Sequence, residues 1–252
     1  MTDEALNLPG GLIEKLSEAQ RVLVLTGAGM SAESGVPTFR DAQTGLWAHY
    51  KAEELATPEA FHDNPKRVWD WYAERRDRIR DVKPHAGHAA LVEMERHFES
   101  FVLVTQNVDS LHQRSGSRDV IELHGNIMQS VCSRTGKPID EAWIAANPGR
   151  PPASPHHPLG MARPGVVWFG ELLPQAAIGR AMLEAERCDA CFSIGTSSLV
   201  VPAASLPFTA LDAGATVIEI NPEPTSLSTQ AHYSLQSTAA VALPRIAAAL
   251  AG

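Results

Sequence analysis

One stretch decides the fold class of this 252-residue chain: Arg21-Val-Leu-Val-Leu-Thr-Gly27-Ala-Gly-Met-Ser-Ala32. Its first half is a short apolar run, typical of a strand buried on both faces of a parallel sheet. Two glycines then end the run, and they permit a tight turn at which backbone N–H groups approach a pyrophosphate closely. The pattern G-x-G-x-x-A alone is a weak signal, because glycine-bearing strand-to-helix turns are common.

The rest of the chain repeats this alternation of strand and helix. Three later apolar runs resemble the first: Phe101–Thr105, Ala190–Ile194 and Thr216–Ile220. Helical patterns lie around them at residues 12–19, 65–80, 85–97, 174–187 and 202–213. The alternation predicts an α/β fold, a Rossmann-like parallel sheet with helices on both faces. Polar loops follow the four strands at residues 27–29, 106–109, 195–197 and 221–223, which predicts a nucleotide site at one edge of the sheet.

Composition and charge exclude several classes of protein. The chain is 44% hydrophobic and 20% charged, as globular domains are. Its net charge of −8 argues against nucleic-acid binding through broad phosphate neutralisation. It has no apolar run of the roughly 20 residues that would span a bilayer. The N-terminus lacks a basic-then-apolar signal, and three cysteines make no disulfide framework, so we expect a cytoplasmic protein without membrane association.

A hydride-transferring dehydrogenase is one alternative for the glycine loop. That reading requires a second strand that ends in an acidic residue about 20 residues further on. Glu53 and Glu54 lie near that distance, but residues 46–52 before them make a poor strand.

Six motifs follow one another along the chain. They are Gly27-Ala-Gly-Met-Ser-Ala-Glu-Ser-Gly-Val-Pro-Thr-Phe-Arg40, Thr105-Gln-Asn-Val-Asp109-Ser-Leu-His112, Glu122-Leu-His124-Gly125, Val166-Val-Trp-Phe-Gly-Glu171, Gly195-Thr-Ser-Ser198 and Asn221-Pro-Glu223. Together they resemble the sirtuin family over most of the chain, and most closely the small bacterial sirtuins of the desuccinylase-like class. The resemblance implies an NAD-dependent protein-lysine deacylase that removes succinyl- or malonyl-type groups, with acetyl as a further substrate.

The resemblance also implies one catalytic domain over residues 1–252. Its large NAD-binding lobe would take residues of about 10–40, 100–125 and 166–252. The first insertion, about 41–97, would hold the cofactor loop and a helical acyl-pocket segment. The second insertion, about 126–165, would be a small module; residues 133–165 contain seven prolines.

Roles for the site residues follow from the same resemblance. His124 matches the general base, whose near-neutral pKa suits removal of a ribose hydroxyl proton. Asn107 and Asp109 would line the nicotinamide pocket, although both residue types are also common helix caps. The residues expected to contact NAD are Gly27, Ala28, Gly29, Ser31, Phe39, Arg40, Gln106, Asn107, Asp109, Gly195, Thr196, Ser197, Asn221, Glu223 and Ala239.

Tyr72 and Arg75 are the clue to the acyl group. They are three residues apart, so on a helix they share a face. Sirtuins that remove acidic acyl groups carry a similar Tyr-x-x-Arg, in which the guanidinium binds the terminal carboxylate and the phenol adds a hydrogen bond. Ala56 would be a small residue that leaves room for the longer chain. The neighbouring charges also fit a solvated, salt-bridged helix face, which is the structural alternative.

Two further expectations concern the peptide and the metal. Residues 166–170, with Val167, Trp168, Phe169 and Gly170, would form an edge strand that binds an acyl-lysine peptide by β-augmentation. Most sirtuins hold a structural zinc with two Cys-x-x-Cys pairs, but the small module here contains only Cys132. Cys188 and Cys191 lie at a helix-to-strand junction and are expected to be buried, so we predict no zinc. His156 and His157 could join Cys132, but adjacent histidines rarely reach one ion.

Three other functions stay open at this stage. Mono-ADP-ribosyl transfer uses the same NAD cleavage with another acceptor. A non-catalytic sensor of NAD or acyl-peptides would be favoured if His124 or Asn107 were replaced, and neither is. A redox role for Cys188 and Cys191 would require an exposed thiol of low pKa.

Overall fold

Four apolar runs of the sequence lie side by side in one parallel sheet. The computed structural model describes residues 7–36 and 51–252, except for the side chains of residues 52 and 53. In that part of the chain the strands are β1 (Arg21–Thr26), β2 (Ser100–Thr105), β3 (Val120–Glu122), β4 (Gly125–Cys132), β5 (Pro138–Ile139), β6 (Ala162–Val166), β7 (Ala190–Ile194), β8 (Thr216–Ile220) and β9 (Tyr233–Leu235). Six of them form the main sheet in the order β3-β2-β1-β7-β8-β9, and every neighbouring pair is parallel.

Helices cover both faces of this sheet. The helices of the described residues are α1 (Leu12–Glu18), α2 (Gly29–Ala32), α3 (Ala52–Leu55), α4 (Pro58–Asp63), α5 (Pro65–Arg80), α6 (Ala86–Met94), α7 (Leu111–Ser115), α8 (Glu141–Ala146), α9 (Gln175–Arg187), α10 (Leu206–Asp212) and α11 (Ala239–Leu250). Helices α1, α6 and α11 pack on one face, and α9 and α10 pack on the other. The predicted fold class is therefore confirmed.

Strand β1 shows why the sheet is buried on both sides. Val22 and Val24 point into the core under α1, α6 and α11, whereas Leu23 and Leu25 point into the core under α9 and α10. This is the period of two that a strand imposes on its side chains. All four side chains are at most 2% exposed, which explains why the run carries no polar alternation.

The long helix α5 carries Tyr72 and Arg75, the candidate acyl-pocket residues. It begins where the Asn64 side chain accepts a hydrogen bond from the Arg67 N–H at 2.9 Å, a cap worth about 1 kcal/mol. Its buried face includes Trp71 and Tyr72, which pack in a third cluster with Trp168. Burial of large aromatic side chains contributes roughly 2 kcal/mol each, so packing rather than salt bridging fixes this face of the helix.

The proline-rich segment forms part of a small antiparallel sheet with the strand order β5-β4-β6. Strand β6 ends at Val166, so the expected edge strand does not extend over residues 167–170, and peptide binding by this segment stays a prediction. Beyond it, Val167 N donates to the His124 carbonyl and Phe169 N to the Ala56 carbonyl, both at 2.9 Å. Trp168 N donates to a carboxylate of the same chain. Three successive amides are thus already used as donors within the chain.

Two exclusions can be tested in the described residues. None of their helices is both long and apolar enough to cross a bilayer. Glu54 lies in helix α3, so it does not end a second sheet strand as a dehydrogenase would require.

Candidate active site

Backbone hydrogen bonds join the loop after β1 to the end of β7 and the loop that follows it. Gly27 N donates to the Ile194 carbonyl at 2.9 Å, and Gly29 N donates to the Gly195 carbonyl at 2.8 Å. A Cβ added to Gly29 would lie 2.7 Å from Cα of Gly195, and Gly195 itself has φ of +58°. No side chain fits at either position, so the backbone is left bare where a phosphate group could approach it. Ala28, between the two glycines, is exposed.

Thr196 joins the loops after β2, β7 and β8. Its hydroxyl accepts from Gln106 Nε2 at 3.2 Å, and its carbonyl accepts from Asn221 Nδ2 at 3.2 Å. Ser197 beside it is half-buried, whereas Glu223 on the neighbouring loop is exposed. The structure therefore brings together the polar loops that follow four parallel strands.

Asn107 is held by two donations from its amide nitrogen. Nδ2 lies 2.9 Å from the Gly27 carbonyl and 3.0 Å from Ser31 Oγ. The amide oxygen has no partner in the described part of the chain, so it can accept from a ligand.

Asp109 lies behind Asn107 and is 3% exposed. Its carboxylate accepts from N of Leu111, the first residue of α7, at 2.9 Å, so it caps the start of that helix. Burial raises the pKa of this carboxyl group, while hydrogen bonds from Leu111 N and Ser31 act in the opposite direction.

His124 lies at the turn between β3 and β4, where one ring nitrogen is fixed. Its Nδ1 is 3.0 Å from the Gln106 carbonyl oxygen. A carbonyl only accepts, so Nδ1 carries the proton in the neutral ring and Nε2 is left as the base. Burial lowers the pKa of His124, and the bond to Gln106 partly offsets that effect. The ring is therefore in its basic form at neutral pH.

The acyl-pocket candidates meet in one apolar cluster. Ala56, Tyr72 and Trp168 are each buried, and Trp168 Nε1 donates to Tyr72 Oη at 3.0 Å. Arg75 is half-buried, with its Cζ 5.0 Å from the Trp71 ring centroid. Burial raises the pKa of Tyr72 well above its usual range, so the phenol keeps its proton.

With this geometry established, comparison with known proteins decides the family. The model of the Sir2 family matches residues 27–202. The chain belongs to the Sir2 family. That confirms the resemblance to sirtuins.

Relatives of this Sir2 chain carry one functional name. A protein of Ralstonia nicotianae named NAD-dependent protein deacylase is 51% identical over 233 residues, which cover 92% of this chain and 93% of the relative. A Thermus thermophilus protein of the same name is 50% identical over 232 residues, covering 90% of this chain and 89% of the relative.

Solved structures of Sir2 proteins share the whole fold. The crystal structure of a Sir2 homologue–NAD complex superimposes with a TM-score of 0.88 at 41% identity, covering 97% of this chain and 94% of that one. A triple mutant of a Sir2 homologue in complex with 2′-O-acetyl ADP-ribose gives a TM-score of 0.87 at 41% identity, covering 97% of both chains.

The remaining predicted Sir2 site residues differ in their exposure and in whether the structure describes them. Ala239, at the start of α11, is 4% exposed and packs in the core with Met30 and Ile220. Phe39 and Arg40 lie outside the described residues. Gly170, exposed with φ of +86°, ends the segment that was expected to bind a peptide.

Sequence reasoning missed a charged pair beside the pocket. Arg163 binds Glu171 through two hydrogen bonds, of 2.6 and 2.9 Å, and its Cζ lies 3.4 Å from the Trp168 ring centroid. Glu171 also accepts from Trp168 N at 2.8 Å. Glu171 is the last residue of the fourth family motif, so its place in that motif could have marked it as part of the site.

The residues of the small module do not fit the usual Sir2 zinc site. Cys132 packs with Trp69 in the module, whereas Cys188 and Cys191 belong to the core beneath the main sheet. The His156 ring is bonded to the Pro138 carbonyl at 2.7 Å. Within residues 7–36 and 51–252 no three His, Cys, Asp or Glu side chains are placed to hold a metal ion. The absence of zinc stays a prediction.

Burial of Cys188 and Cys191 confirms that they are structural rather than exposed. Both are at most 8% exposed and lie at the α9-to-β7 junction. The redox alternative therefore lacks the accessible thiol that it requires.

Proposed function

We propose that this chain is an NAD-dependent protein-lysine deacylase that removes acidic acyl groups, such as succinyl and malonyl, from protein or peptide substrates. The products would be nicotinamide, free lysine and O-acyl-ADP-ribose. The observation that carries the reaction class is the fixed tautomer of His124 beside the glycine-lined edge of the sheet. Two relatives named NAD-dependent protein deacylase that match about nine-tenths of the chain support the same class.

The loops around Gly27, Gly29 and Gly195 would hold the NAD pyrophosphate. Their contact with each other excludes side chains, so an anion could approach the loop backbone closely. The N–H groups of Gly27, Gly29 and Gly195 themselves already donate to carbonyl groups of the chain. Thr196 accepts hydrogen bonds from Gln106 and Asn221. These three side chains of the site are therefore held in place before the ligand binds.

Asn107 and Asp109 would hold the nicotinamide end. Because Asn107 donates both amide hydrogens within the chain, its oxygen is oriented to accept from the carboxamide N–H. The buried carboxylate of Asp109 would stabilise the positive charge that develops as nicotinamide leaves. Burial raises the pKa of this carboxyl group, and its hydrogen bonds from Leu111 N and Ser31 offset part of that effect in favour of the charged form.

His124 would act in the second half of the reaction. After the acyl oxygen of the modified lysine has attacked the ribose carbon, Nε2 of His124 takes a proton from a ribose hydroxyl. That hydroxyl would then attack the acyl carbon, the lysine amine would leave, and one water molecule would add to the acyl carbon to give O-acyl-ADP-ribose. The fixed Nδ1–H to the Gln106 carbonyl stabilises the imidazolium that forms, so the ring need not reorient.

Tyr72 and Arg75 would select the acyl group. Both lie on α5, three residues apart, and Tyr72 packs against Ala56 in the same cluster. A terminal carboxylate would accept from both side chains, whereas an acetyl group offers them no partner.

We also propose the division of the chain given by the sequence, with a large lobe and insertions at about residues 41–97 and 126–165. The three-stranded sheet formed by β4, β5 and β6 supports the second insertion. A cytoplasmic location is proposed as well, supported by the three unpaired cysteines.

The deciding experiment is nicotinamide release from NAD with two peptides of one sequence, carrying succinyl-lysine or acetyl-lysine. We expect succinyl-dependent release, with formation of O-succinyl-ADP-ribose reduced by at least about a hundredfold in His124→Ala. His97→Ala, a change of an exposed histidine, is the matched control. Release without either peptide but with transfer of ADP-ribose to protein would favour the ADP-ribosyltransferase. No turnover, with NAD still bound, would favour the sensor.

The acyl preference has its own test. In Tyr72→Phe combined with Arg75→Met, we expect desuccinylation to fall by more than about a hundredfold, because two charge-assisted hydrogen bonds are removed. Deacetylation should be retained. Equal loss of both activities would contradict the carboxylate pocket and assign α5 a folding role.

A further inference from the structure

We propose that Trp168 is a specificity-determining residue, whose indole N–H fixes the direction in which Tyr72 donates its phenolic proton to an acidic acyl group. The proposal rests on the function proposed above, and it adds a group that touches the reaction only through Tyr72. The observation behind it is a hydrogen bond between two buried side chains 96 positions apart, with Nε1 of Trp168 3.0 Å from Oη of Tyr72.

The direction of this hydrogen bond is fixed by chemistry. An indole N–H can only donate, so the Tyr72 oxygen must accept. The phenolic hydrogen is then left to donate elsewhere, and no residue in the described ranges accepts it. Burial holds the pKa of Tyr72 well above its usual range, so the proton is present at every working pH. Tyr72 is thus a buried donor that lacks an acceptor until a ligand supplies one.

Trp168 is itself held from two sides. Its backbone N–H donates to Glu171 at 2.8 Å, and the Arg163 guanidinium lies on its ring, with Cζ 3.4 Å from the centroid. Arg163 and Glu171 bind each other through two hydrogen bonds. The indole is therefore fixed in position, and the charge of Arg163 is already paired with Glu171 rather than offered to a substrate.

The Tyr72 ring is equally restricted. It lies edge-on to Trp71, with ring centroids 4.6 Å apart, and tilted against Trp168, with centroids 6.4 Å apart. With the ring held, the phenolic hydrogen could still rotate about the bond between the ring and the oxygen. The indole N–H of Trp168 occupies one side of that oxygen and so directs the hydrogen to the other side. Because Arg75 shares the face of α5 with Tyr72, the fixed phenol and the guanidinium can meet one carboxylate. Binding a neutral acyl group would leave the phenol donor unsatisfied. The arrangement therefore favours acidic acyl groups over neutral ones.

The test is a double-mutant cycle with Trp168→Phe and Tyr72→Phe, measured as kcat and KM for succinyl- and acetyl-lysine peptides of one sequence. In Trp168→Phe we expect the succinyl-to-acetyl ratio of kcat/KM to fall roughly five- to tenfold, through a higher KM for the succinyl peptide. In the Tyr72→Phe background, Trp168→Phe should change the ratio by less than about twofold, because the group it acts through is gone.

Two further variants keep the test decisive. Trp143→Phe removes another indole N–H, which donates to the Ala153 carbonyl in the small module, and should leave the ratio unchanged. A benzothienyl alanine at position 168 keeps the bicyclic ring but lacks the N–H, and should match Trp168→Phe if the fold is intact.

The outcomes separate this proposal from the function on which it rests. A wild-type protein that does not prefer succinyl-lysine would overturn both. A wild-type preference that survives loss of the indole N–H, or that falls equally in the presence and absence of the Tyr72 hydroxyl, would overturn the role of Trp168 alone.

Discussion

His88 and His112 pack against each other inside the protein, with their ring centroids 5.0 Å apart and their planes tilted by 51°, and neither is more than 1% exposed. Burial, reinforced by the neighbouring histidines, lowers the pKa of His88 to about 2 and that of His112 to about 3. Both rings are therefore neutral in the folded protein. His112 Nε2 lies 3.0 Å from Thr26 Oγ1, so this histidine pair supports the end of β1 next to the glycine loop.

This pair predicts a loss of stability in mild acid. The unfolded histidines take up protons below about pH 6.5, whereas the folded ones do not, so the free energy of unfolding falls as pH decreases through that range. Two such groups give a slope of roughly 2 to 3 kcal/mol per pH unit between about pH 6 and pH 4. Urea unfolding measured at several pH values checks this. His88→Gln should remove about half of the slope, and His97→Gln, at an exposed position, should remove none.

The lowered pKa of His124 predicts the acid limb of the reaction. Burial disfavours the imidazolium, so the basic form persists below the usual pKa of a histidine. We expect single-turnover formation of O-acyl-ADP-ribose to fall only below about pH 6.5 and to be level above it. The pH profile of that step in the wild type gives the measurement. An acid limb centred above pH 7 would contradict the assignment of this histidine.

The strands could be predicted from the sequence because burial on both faces leaves a simple pattern. Residues 190–194 and 216–220 were predicted to the residue, and β1 and β2 each extend by one. The short edge strands β3 and β9 and the irregular sheet of the small module were missed. Strand β4 changes register between Asn126 and Ser130, which breaks the alternation that a sequence search relies on.

Site residues that come directly after a strand could be predicted from the sequence. Contacts between residues far apart in the sequence could not. Gly27 and Gln106 follow strands, so their place at the sheet edge is a matter of topology. The strand was expected to continue past Val166 because a run of apolar residues looks alike whether its amides pair with a strand or with scattered groups. The bond from Trp168 to Tyr72 joins residues on separate elements and leaves no local pattern.

Gly195, which touches Gly29, and Gly179, where an added side chain has open space, should respond in opposite ways to replacement by alanine. Gly195→Ala places a Cβ against the backbone at a residue with φ of +58°, so the loop must move. We expect roughly 1 to 3 kcal/mol of destabilisation and a higher KM for NAD. Gly179→Ala, within α9, meets no atom within 4 Å and should stabilise the protein by roughly 0.5 to 1 kcal/mol. Thermal unfolding and NAD titration report both. Equal effects of the two changes would show that the close approach is not what constrains Gly195.

Glu219, a buried carboxylate on β8, predicts a link between protein stability and NAD affinity. It is 2% exposed and accepts hydrogen bonds from the hydroxyl groups of Thr225, Ser228 (2.5 Å) and Ser234 (2.9 Å). Thr225 and Ser228 belong to the loop that starts at Asn221, so the carboxylate holds that loop against the sheet.

Replacing Glu219 by glutamine puts two N–H donors where the hydroxyl groups need an acceptor. We expect Glu219→Gln to cost roughly 2 to 3 kcal/mol of stability, since hydrogen bonds to a charged group are lost at a buried site. The loop should loosen, so KM for NAD should rise several-fold while kcat stays within about twofold. Glu186→Gln, on the exposed part of α9, is the matched control for loss of one negative charge. A large fall in kcat at unchanged KM would mean that Glu219 acts on the chemical step instead of holding the loop.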